Sequence, residues 1–247
     1  MIMTTRSIRS RVAIAVAFML TGTTFITLPS TARYRPPSAA TLQRPAGRQG
    51  AATRTDCAKD NFTFAAIVPT SNYGQTTADY PTLYWYHANH TFSWARFELY
   101  TAQKQTLKLE PDPIYQTTFR LMGNTAALAS LTLPSTAGLP ALEKGRDYLW
   151  KVTLICSQKG PDDETASGSQ RSVQGWITRV TPTAGLNAKL AKTPRRYEVY
   201  AEEGLWYDAI KDLAVQRQQQ PQQPRLAADW RDLLKETALG LVKAAAL

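Results

Sequence analysis

Cysteine and histidine are scarce in this sequence, which contains only two of each. His87 and His90 have an H-x-x-H spacing, but they fall at a strand end and turn with no third ligand nearby. This context favours a loop pair over a metal site. The sequence also lacks a glycine-rich phosphate loop and a Gly-x-Ser-x-Gly elbow. We therefore expect no catalytic residue, no metal and no cofactor.

Acidic side chains are absent from residues 1–54, and this asymmetry decides how the net charge is interpreted. The whole chain carries a net charge of +10. Because eight of the positive charges are arginines within residues 1–54, the rest of the chain has a net charge of only +2. A nucleic-acid-binding surface would place the basic excess on the folded part of the chain. We therefore expect no nucleic-acid partner.

Long apolar runs are absent except at the N-terminus. Three arginines precede an apolar run at residues 12–20, and small residues follow up to Ala32. This pattern predicts a signal peptide over residues 1–32 and a secreted or periplasmic protein with no stable membrane span after cleavage. The alternative is an N-terminal membrane anchor, because residues 12–29 carry no charge and just reach spanning length.

Residues 33–56 are rich in Pro, Ala, Arg and Gly and have almost no bulky aliphatic side chains. Such a segment cannot bury enough apolar surface to offset the loss of chain entropy on folding. The composition predicts a disordered linker between the leader and the folded region.

Short runs of aromatic and β-branched residues, separated by turn residues, fill the region 57–180. No helical period intervenes between them. This pattern predicts a mainly β domain with an antiparallel immunoglobulin-like β-sandwich, and a barrel is the alternative. The predicted strands are 62–68, 82–87, 94–100, 113–121, 127–133, 148–156 and 173–180.

The run YLWKVTLIC, residues 148–156, alternates as a strand does and ends in a cysteine. Successive side chains of a strand point to opposite faces, so one alternating set should face the core. The set that we predict to face the core is Tyr148, Trp150, Val152, Leu154 and Cys156.

Cys57 precedes the first predicted strand, and Cys156 ends the sixth. In an exported protein two cysteines most simply form a disulfide. The alternatives are two free thiols or a reactive cysteine. A reactive thiol would need a base, and nothing in the sequence links either histidine to a cysteine.

The apolar period becomes helical over residues 181–247. Residues 194–221 resemble a single tetratricopeptide hairpin, because "GLWYDAI" at 204–210 matches the inter-helix glycine, aromatic, acid and alanine of that repeat. One repeat cannot bury its face alone. We expect a small helical hairpin or three-helix unit, capped by its last helix or docked on the β domain.

Aromatic side chains are dense in this helical region. Trp206 and Trp230 fall on apolar stripes, whereas Tyr207 lies beside the stripe and is predicted to face outward, where a phenol can contact a partner. We take Tyr197, Tyr200 and Tyr207 as candidate partner-binding residues. The alternative is that the helices dock on the sheets and cover every ring.

Two stretches, "VPTSNYGQTTADYPTLYW" and "AEEGLWYDAI", make the chain resemble the cyanobacterial secreted family known as domain of unknown function 928. The resemblance covers most of residues 57–235. It implies an envelope or extracellular location in a photosynthetic bacterium, and it supports pairing of Cys57 with Cys156. It implies no known activity and no catalytic residues.

These observations favour a non-catalytic binding or scaffolding protein of the cell envelope, with an envelope protein as its possible partner. The alternative is a periplasmic, hydrolase-like enzyme whose site is built from scattered carboxylates such as Glu98, Glu110 and Asp112, because carboxylates from distant segments can meet in a fold. Nothing in the sequence specifies an oligomeric state.

Overall fold

The structure is a computed structural model that describes residues 33–38, 56–103, 106–121, 127–136, 138–163, 170–237 and 239. The predicted signal peptide, 1–32, and most of the predicted linker lie outside these described residues.

The chain is mainly β with helices at its C-terminal end, as the sequence predicts. All seven predicted strands are present, and an additional strand, β2, lies between the first and second predicted strands. The strands are β1 Ala58–Ala66, β2 Tyr73–Thr76, β3 Thr82–His90, β4 Trp94–Thr101, β5 Tyr115–Arg120, β6 Ala127–Thr132, β7 Asp147–Ile155 and β8 Gln170–Arg179. The helices are α1 Leu186–Leu190, α2 Arg196–Glu202, α3 Trp206–Gln219 and α4 Pro224–Lys235.

The described strands form two sheets, one with the order β1-β3-β6 and one with the order β2-β8-β7-β4-β5. Neighbouring strands are antiparallel except for β2 and β8, which are parallel. The prediction of a purely antiparallel arrangement is therefore wrong at this pair. Because β1 belongs to the first sheet and β2 to the second, the chain crosses between the sheets at residues 67–72 and then runs along the edge of β8 in the same direction.

Side chains from both sheets meet in one hydrophobic core. Trp85 on β3 lies against Phe119 on β5, with ring centroids 6.1 Å apart. The predicted core face of β7 is buried from Tyr148 to Leu154, and burying each of its large side chains contributes about 1.5–3 kcal/mol. Close packing also fixes Gly175 on β8, because a Cβ there would approach Val68 Cγ1 to 2.7 Å.

A disulfide joins Cys57 to Cys156, whose Cα atoms are 5.9 Å apart, within the usual range for this bond. The predicted pairing is thus confirmed, and no free cysteine occurs in the described part of the chain. The bond links the residue before β1 to the residue after β7, so it ties the two sheets together at one end.

The helices pack onto the sheets and share their core. Trp206 Nε1 donates a 2.9 Å hydrogen bond to the carbonyl oxygen of Ile67, at the end of β1. The Asp208 carboxylate accepts hydrogen bonds from the backbone N–H and the hydroxyl of Thr77, at 3.0 and 3.1 Å, and so holds the loop after β2. Among the described residues, no helix combines the length and the apolar character needed to cross a membrane.

Residues 33–38, predicted to be disordered, instead pack against the helices. Tyr34 is buried, and its ring meets that of Trp206 edge-on with centroids 5.0 Å apart. The backbone N–H of Arg35 donates a 3.0 Å hydrogen bond to the carbonyl oxygen of Ala201. Gly204 has a φ of +75°, and a Cβ there would lie 2.9 Å from the Arg35 carbonyl oxygen. The prediction of disorder is wrong for these residues, because it rests on the average composition of the segment, whereas the burial of one aromatic ring, that of Tyr34, is a tertiary contact.

Candidate functional site

Tyr207, predicted to face outward, is only 2% exposed. Its hydroxyl accepts a 2.8 Å hydrogen bond from Trp150 Nε1 and donates a 2.9 Å hydrogen bond to the carbonyl oxygen of Trp176. The first turn of α3 is covered on two sides. A Cβ at Gly74 on β2 would lie 2.9 Å from both Trp206 Cβ and Tyr207 Cε2, and the Tyr34 ring packs edge-on against Trp206. The outward orientation predicted for Tyr207 is therefore wrong, and its ring belongs to the core.

The other two predicted partner-binding residues also lie in the packing of the helices. Tyr197 is fully buried, and its hydroxyl donates a 2.5 Å hydrogen bond to Asp229 Oδ2, which joins α2 to α4. Burial and this carboxylate raise the pKa of Tyr197. Tyr200 is half-buried and packs against the core. The structure therefore does not bring Tyr197, Tyr200 and Tyr207 together on one exposed surface.

An open groove lies instead between helix α3 and the face of β3 and β6 that points away from the other sheet. We call it the α3 groove, and its volume is about 420 Å³. Because side chains alternate along a strand, the floor residues of the groove lie on the other face of the sheet from Trp85, which faces the core. The floor is formed by Thr82, Tyr84, Leu128, Ser130 and Thr132, and the wall by Lys211, Ala214, Val215, Arg217 and Gln218.

The charge of the α3 groove is positive. Lys211 and Arg217 line it, and no acidic residue is found among the described side chains that do so. Lys211 is exposed and has no ion-pair partner in the described part of the chain. The Arg217 guanidinium lies 5.0 Å from the centroid of the Trp230 ring, a cation–π contact that holds its direction.

The floor of the α3 groove presents hydroxyl groups. The hydroxyls of Thr82 and Thr132 are 2.8 Å apart and hydrogen-bonded, and Ser130 lies opposite Tyr84 in the strand register. Burial raises the pKa of the Tyr84 hydroxyl, which therefore keeps its proton. Val215, at 40% exposure, adds an apolar surface on the wall. Since hydroxyls both donate and accept hydrogen bonds, the groove offers polar, apolar and cationic contacts side by side.

His87 and His90 do not form a loop pair, because both lie in β3 and are buried. His90 Nδ1 accepts a 3.2 Å hydrogen bond from the backbone N–H of Phe92, so its Nε2 carries the proton and donates to His87 Nδ1 at 2.8 Å. Burial lowers the pKa of both imidazoles, that of His90 to about 4. A cleft of about 460 Å³ lies beside His90 and is lined by Asp56, Lys59 and Asp60 among others. In the described residues, no three His, Cys, Asp or Glu side chains cluster closely enough to hold a metal ion.

Of the carboxylates considered for an enzyme site, Glu98 lies on β4 of the five-stranded sheet, and Glu110 and Asp112 lie in the segment between β4 and β5. Glu98 Oε2 forms a 2.9 Å ion pair with Lys151 Nζ, and Glu98 Oε1 accepts a 2.7 Å hydrogen bond from the Tyr100 hydroxyl. Both oxygens of Glu98 are thus engaged within the sheet. Asp112 is exposed in the turn before β5.

A family model described as Domain of Unknown Function (DUF928) matches residues 49–247 of the chain. The chain belongs to this family. A search of curated proteins finds no match. The DUF928 region contains both sheets, the disulfide and the C-terminal helices, so every residue of the α3 groove lies within it.

The groove residues of this DUF928 chain were not among the sequence-based candidates. Lys211, Ala214, Val215 and Gln218 have the i, i+3, i+4, i+7 spacing of one helix face. That face is mixed in polarity and has the composition of an ordinary solvated surface. The one available signal was Val215, an aliphatic residue outside the apolar stripe of Trp206, Ile210 and Leu213, which without the position of β6 does not indicate a groove.

Proposed function

We propose that this DUF928 protein is an exported, non-catalytic binding protein of the cell envelope, and that its ligand lies in the α3 groove. The observation that carries the proposal is the groove itself, a concave surface with apolar Ala214 and Val215 on its wall, hydroxyls on its floor, and a cation, Lys211, that has no ion-pair partner among the described residues. Ligand sites in proteins combine concavity and apolar lining with a few placed polar groups in this way.

Two features support export. The leader has the charge and apolar pattern of a signal peptide, and the Cys57–Cys156 disulfide is of the kind that persists in oxidising compartments. The resemblance to cyanobacterial secreted proteins supports the envelope of a photosynthetic bacterium as the location.

We infer that the two sheets form an immunoglobulin-like β-sandwich. The strand order supports this inference, because β1-β3-β6 and β8-β7-β4 correspond to the A-B-E and G-F-C neighbours of that fold. We also infer that residues 194–221 are a tetratricopeptide-like hairpin, supported by the packing of α2 against α3. A sandwich with docked helices is a scaffold on which a binding groove can be held rigidly.

Blocking the groove tests the proposed function. Ser130→Trp places an indole on the floor of the groove, whereas the control Ser172→Trp places one on an exposed serine of β8 in the other sheet. The measurement is saturable binding of labelled protein to isolated envelopes of the native host, by sedimentation. We expect wild type and Ser172→Trp to bind and Ser130→Trp to lose binding. Absence of binding by the wild type would contradict a binding function, and equal binding by all three would exclude the α3 groove.

A further inference from the structure

We propose that the ligand of the α3 groove is a carboxylated polysaccharide, an inference that rests on the proposed function of the groove. Three properties of the groove carry it: the sign of its charge, the hydroxyls of its floor, and the orientation of β6, which presents side chains to the ligand.

The charge selects an anionic ligand. Lys211 and Arg217 are the charged side chains described at the groove, and Lys211 has no carboxylate partner in the described part of the chain. A ligand carboxylate would supply the missing counter-charge. The two cations are six residues apart on α3, which corresponds to roughly 9 Å along the helix axis and a rotation of about 120° around it. This spacing suits a polymer that carries repeated carboxylates better than a single small anion.

The floor and wall select a sugar. The hydroxyls of Thr82, Thr132, Ser130 and Tyr84 offer both donors and acceptors, which is what the hydroxyls of a sugar ring require. Val215 and Leu128 offer aliphatic surface against which the C–H face of a sugar ring can pack. A single small anion would leave this combination of hydroxyl and aliphatic surface unused.

The geometry of β6 disfavours an acidic peptide that binds as an added strand. An extended peptide that adds to a sheet binds the main-chain groups along the edge of the last strand. The α3 groove is instead formed by alternate side chains of β6, namely Leu128, Ser130 and Thr132. In the strand register these residues pair with Tyr86, Tyr84 and Thr82 of β3 and lie on the same face of the sheet as they do. A ligand in the α3 groove therefore contacts side chains, as a polysaccharide does, and does not add to the edge of β6.

The shape of the groove disfavours a membrane surface. Its cationic and apolar groups line the inside of a concave channel between a helix and a sheet. A flat bilayer would meet the rim of such a channel and would not reach Thr82 or Tyr84, which are buried on its floor.

The test is a titration of the folded protein with four probes: polygalacturonate, its fully methyl-esterified form, poly-L-glutamate, and vesicles of phosphatidylglycerol. We expect binding of polygalacturonate, and at least tenfold weaker binding of the ester, which keeps the sugar backbone but lacks the charge. We expect the double variant Lys211→Gln/Arg217→Gln to weaken binding at least tenfold. The matched control, Lys192→Gln/Arg196→Gln, removes two exposed cations of the same helical region and should bind as wild type does.

The double variant could fail to fold, because Arg217 contacts the Trp230 ring. The single variant Lys211→Gln then serves as the test, since Lys211 is exposed and forms no ion pair among the described residues. Equal or tighter binding of poly-L-glutamate or of the vesicles would overturn the proposal in favour of an acidic peptide or a lipid. Binding of polygalacturonate that is unaffected by Lys211→Gln would overturn it as well. If Ser130→Trp abolishes envelope binding but polygalacturonate does not bind, the binding function stands and the polysaccharide assignment fails.

Discussion

The indole N–H of Trp150 donates a 2.8 Å hydrogen bond to the hydroxyl of Tyr207, and this bond joins the central strand β7 to helix α3 inside the core. Tyr207 is almost completely buried, and it passes the interaction on to the carbonyl oxygen of Trp176 on β8. The helices are therefore part of the same folding unit as the sheets, and they are attached by buried polar contacts as well as by apolar packing.

Tyr207→Phe should lower the free energy of unfolding by about 1–3 kcal/mol, because it leaves the Trp150 N–H buried without an acceptor. Urea denaturation followed by tryptophan fluorescence measures this change. Tyr200→Phe is the control, since Tyr200 is half-buried and its hydroxyl has no hydrogen-bond partner among the described residues. Equal stability of Tyr207→Phe and wild type would show that the Trp150–Tyr207 bond contributes nothing.

Removing the disulfide with Cys57→Ser/Cys156→Ser should destabilise the protein by about 2–4 kcal/mol, because the unfolded chain regains the freedom that the cross-link removes. The sheets and helices share one core, so the far-UV signal of the helices and the fluorescence of the core tryptophans should be lost in one transition at lower urea. Two separated transitions, or unchanged stability, would contradict this account.

Acid should destabilise the protein through the His87–His90 pair. The pKa of His90 is lowered from 6.5 to about 4 in the folded state, so the unfolded chain binds a proton first as the pH falls. The contribution of this group is complete above pH 6.5 and is lost as the pH falls toward 4. The loss is at most about 1.4 kcal/mol per pH unit. His90→Gln should make the dependence of unfolding free energy on pH shallower in this window.

The comparison of slopes does not depend on the absolute stability of His90→Gln, since carboxylates that titrate near pH 4 contribute to both proteins alike. If wild type and His90→Gln lose stability in parallel between pH 6.5 and 4, the pKa of His90 is not lowered by folding, and the prediction is wrong.

Tyr34→Ala should destabilise the protein by about 3 kcal/mol, because it removes a buried ring that packs edge-on against Trp206. Tyr34→Phe should be neutral or stabilising, because the Tyr34 hydroxyl is buried without a hydrogen-bond partner among the described residues. Thermal unfolding of both variants checks the pair of predictions. A change below about 0.5 kcal/mol for Tyr34→Ala would show that the segment 33–38 does not hold the helices.

The strands that sequence patterns identified are those in which aromatic and aliphatic residues recur along a short run. The run at 148–156 is the clearest example: Tyr148, Trp150, Val152 and Leu154 form the core face of β7, and Leu149 and Ile155 on its other face are buried as well. Strand β2 was missed since it is short and follows Asn72, whose φ of +58° belongs to a turn. Only its pairing with β8 makes it a strand, and sequence periodicity does not contain that tertiary contact.

The site was harder to predict than the fold for a related reason. A helical period assumes one buried face, whereas the first turn of α3 is covered on two sides, so Trp206 and Tyr207 are both buried although they are adjacent in sequence. The α3 groove forms because helix α3 lies beside β6, a strand more than 70 residues earlier in the chain. Val215 on α3 and Leu128 on β6, for example, line the same groove. No local pattern encodes that proximity.

Hydrogen–deuterium exchange of the protein, with and without saturating envelope fragments of the native host, tests most directly whether the α3 groove holds the ligand. The account predicts slower exchange in β6, residues 127–132, and in the second half of α3, residues 211–218, because these segments form the floor and wall of the groove. Unchanged exchange in both segments, with protection on β4 and β7 of the other sheet instead, would contradict it.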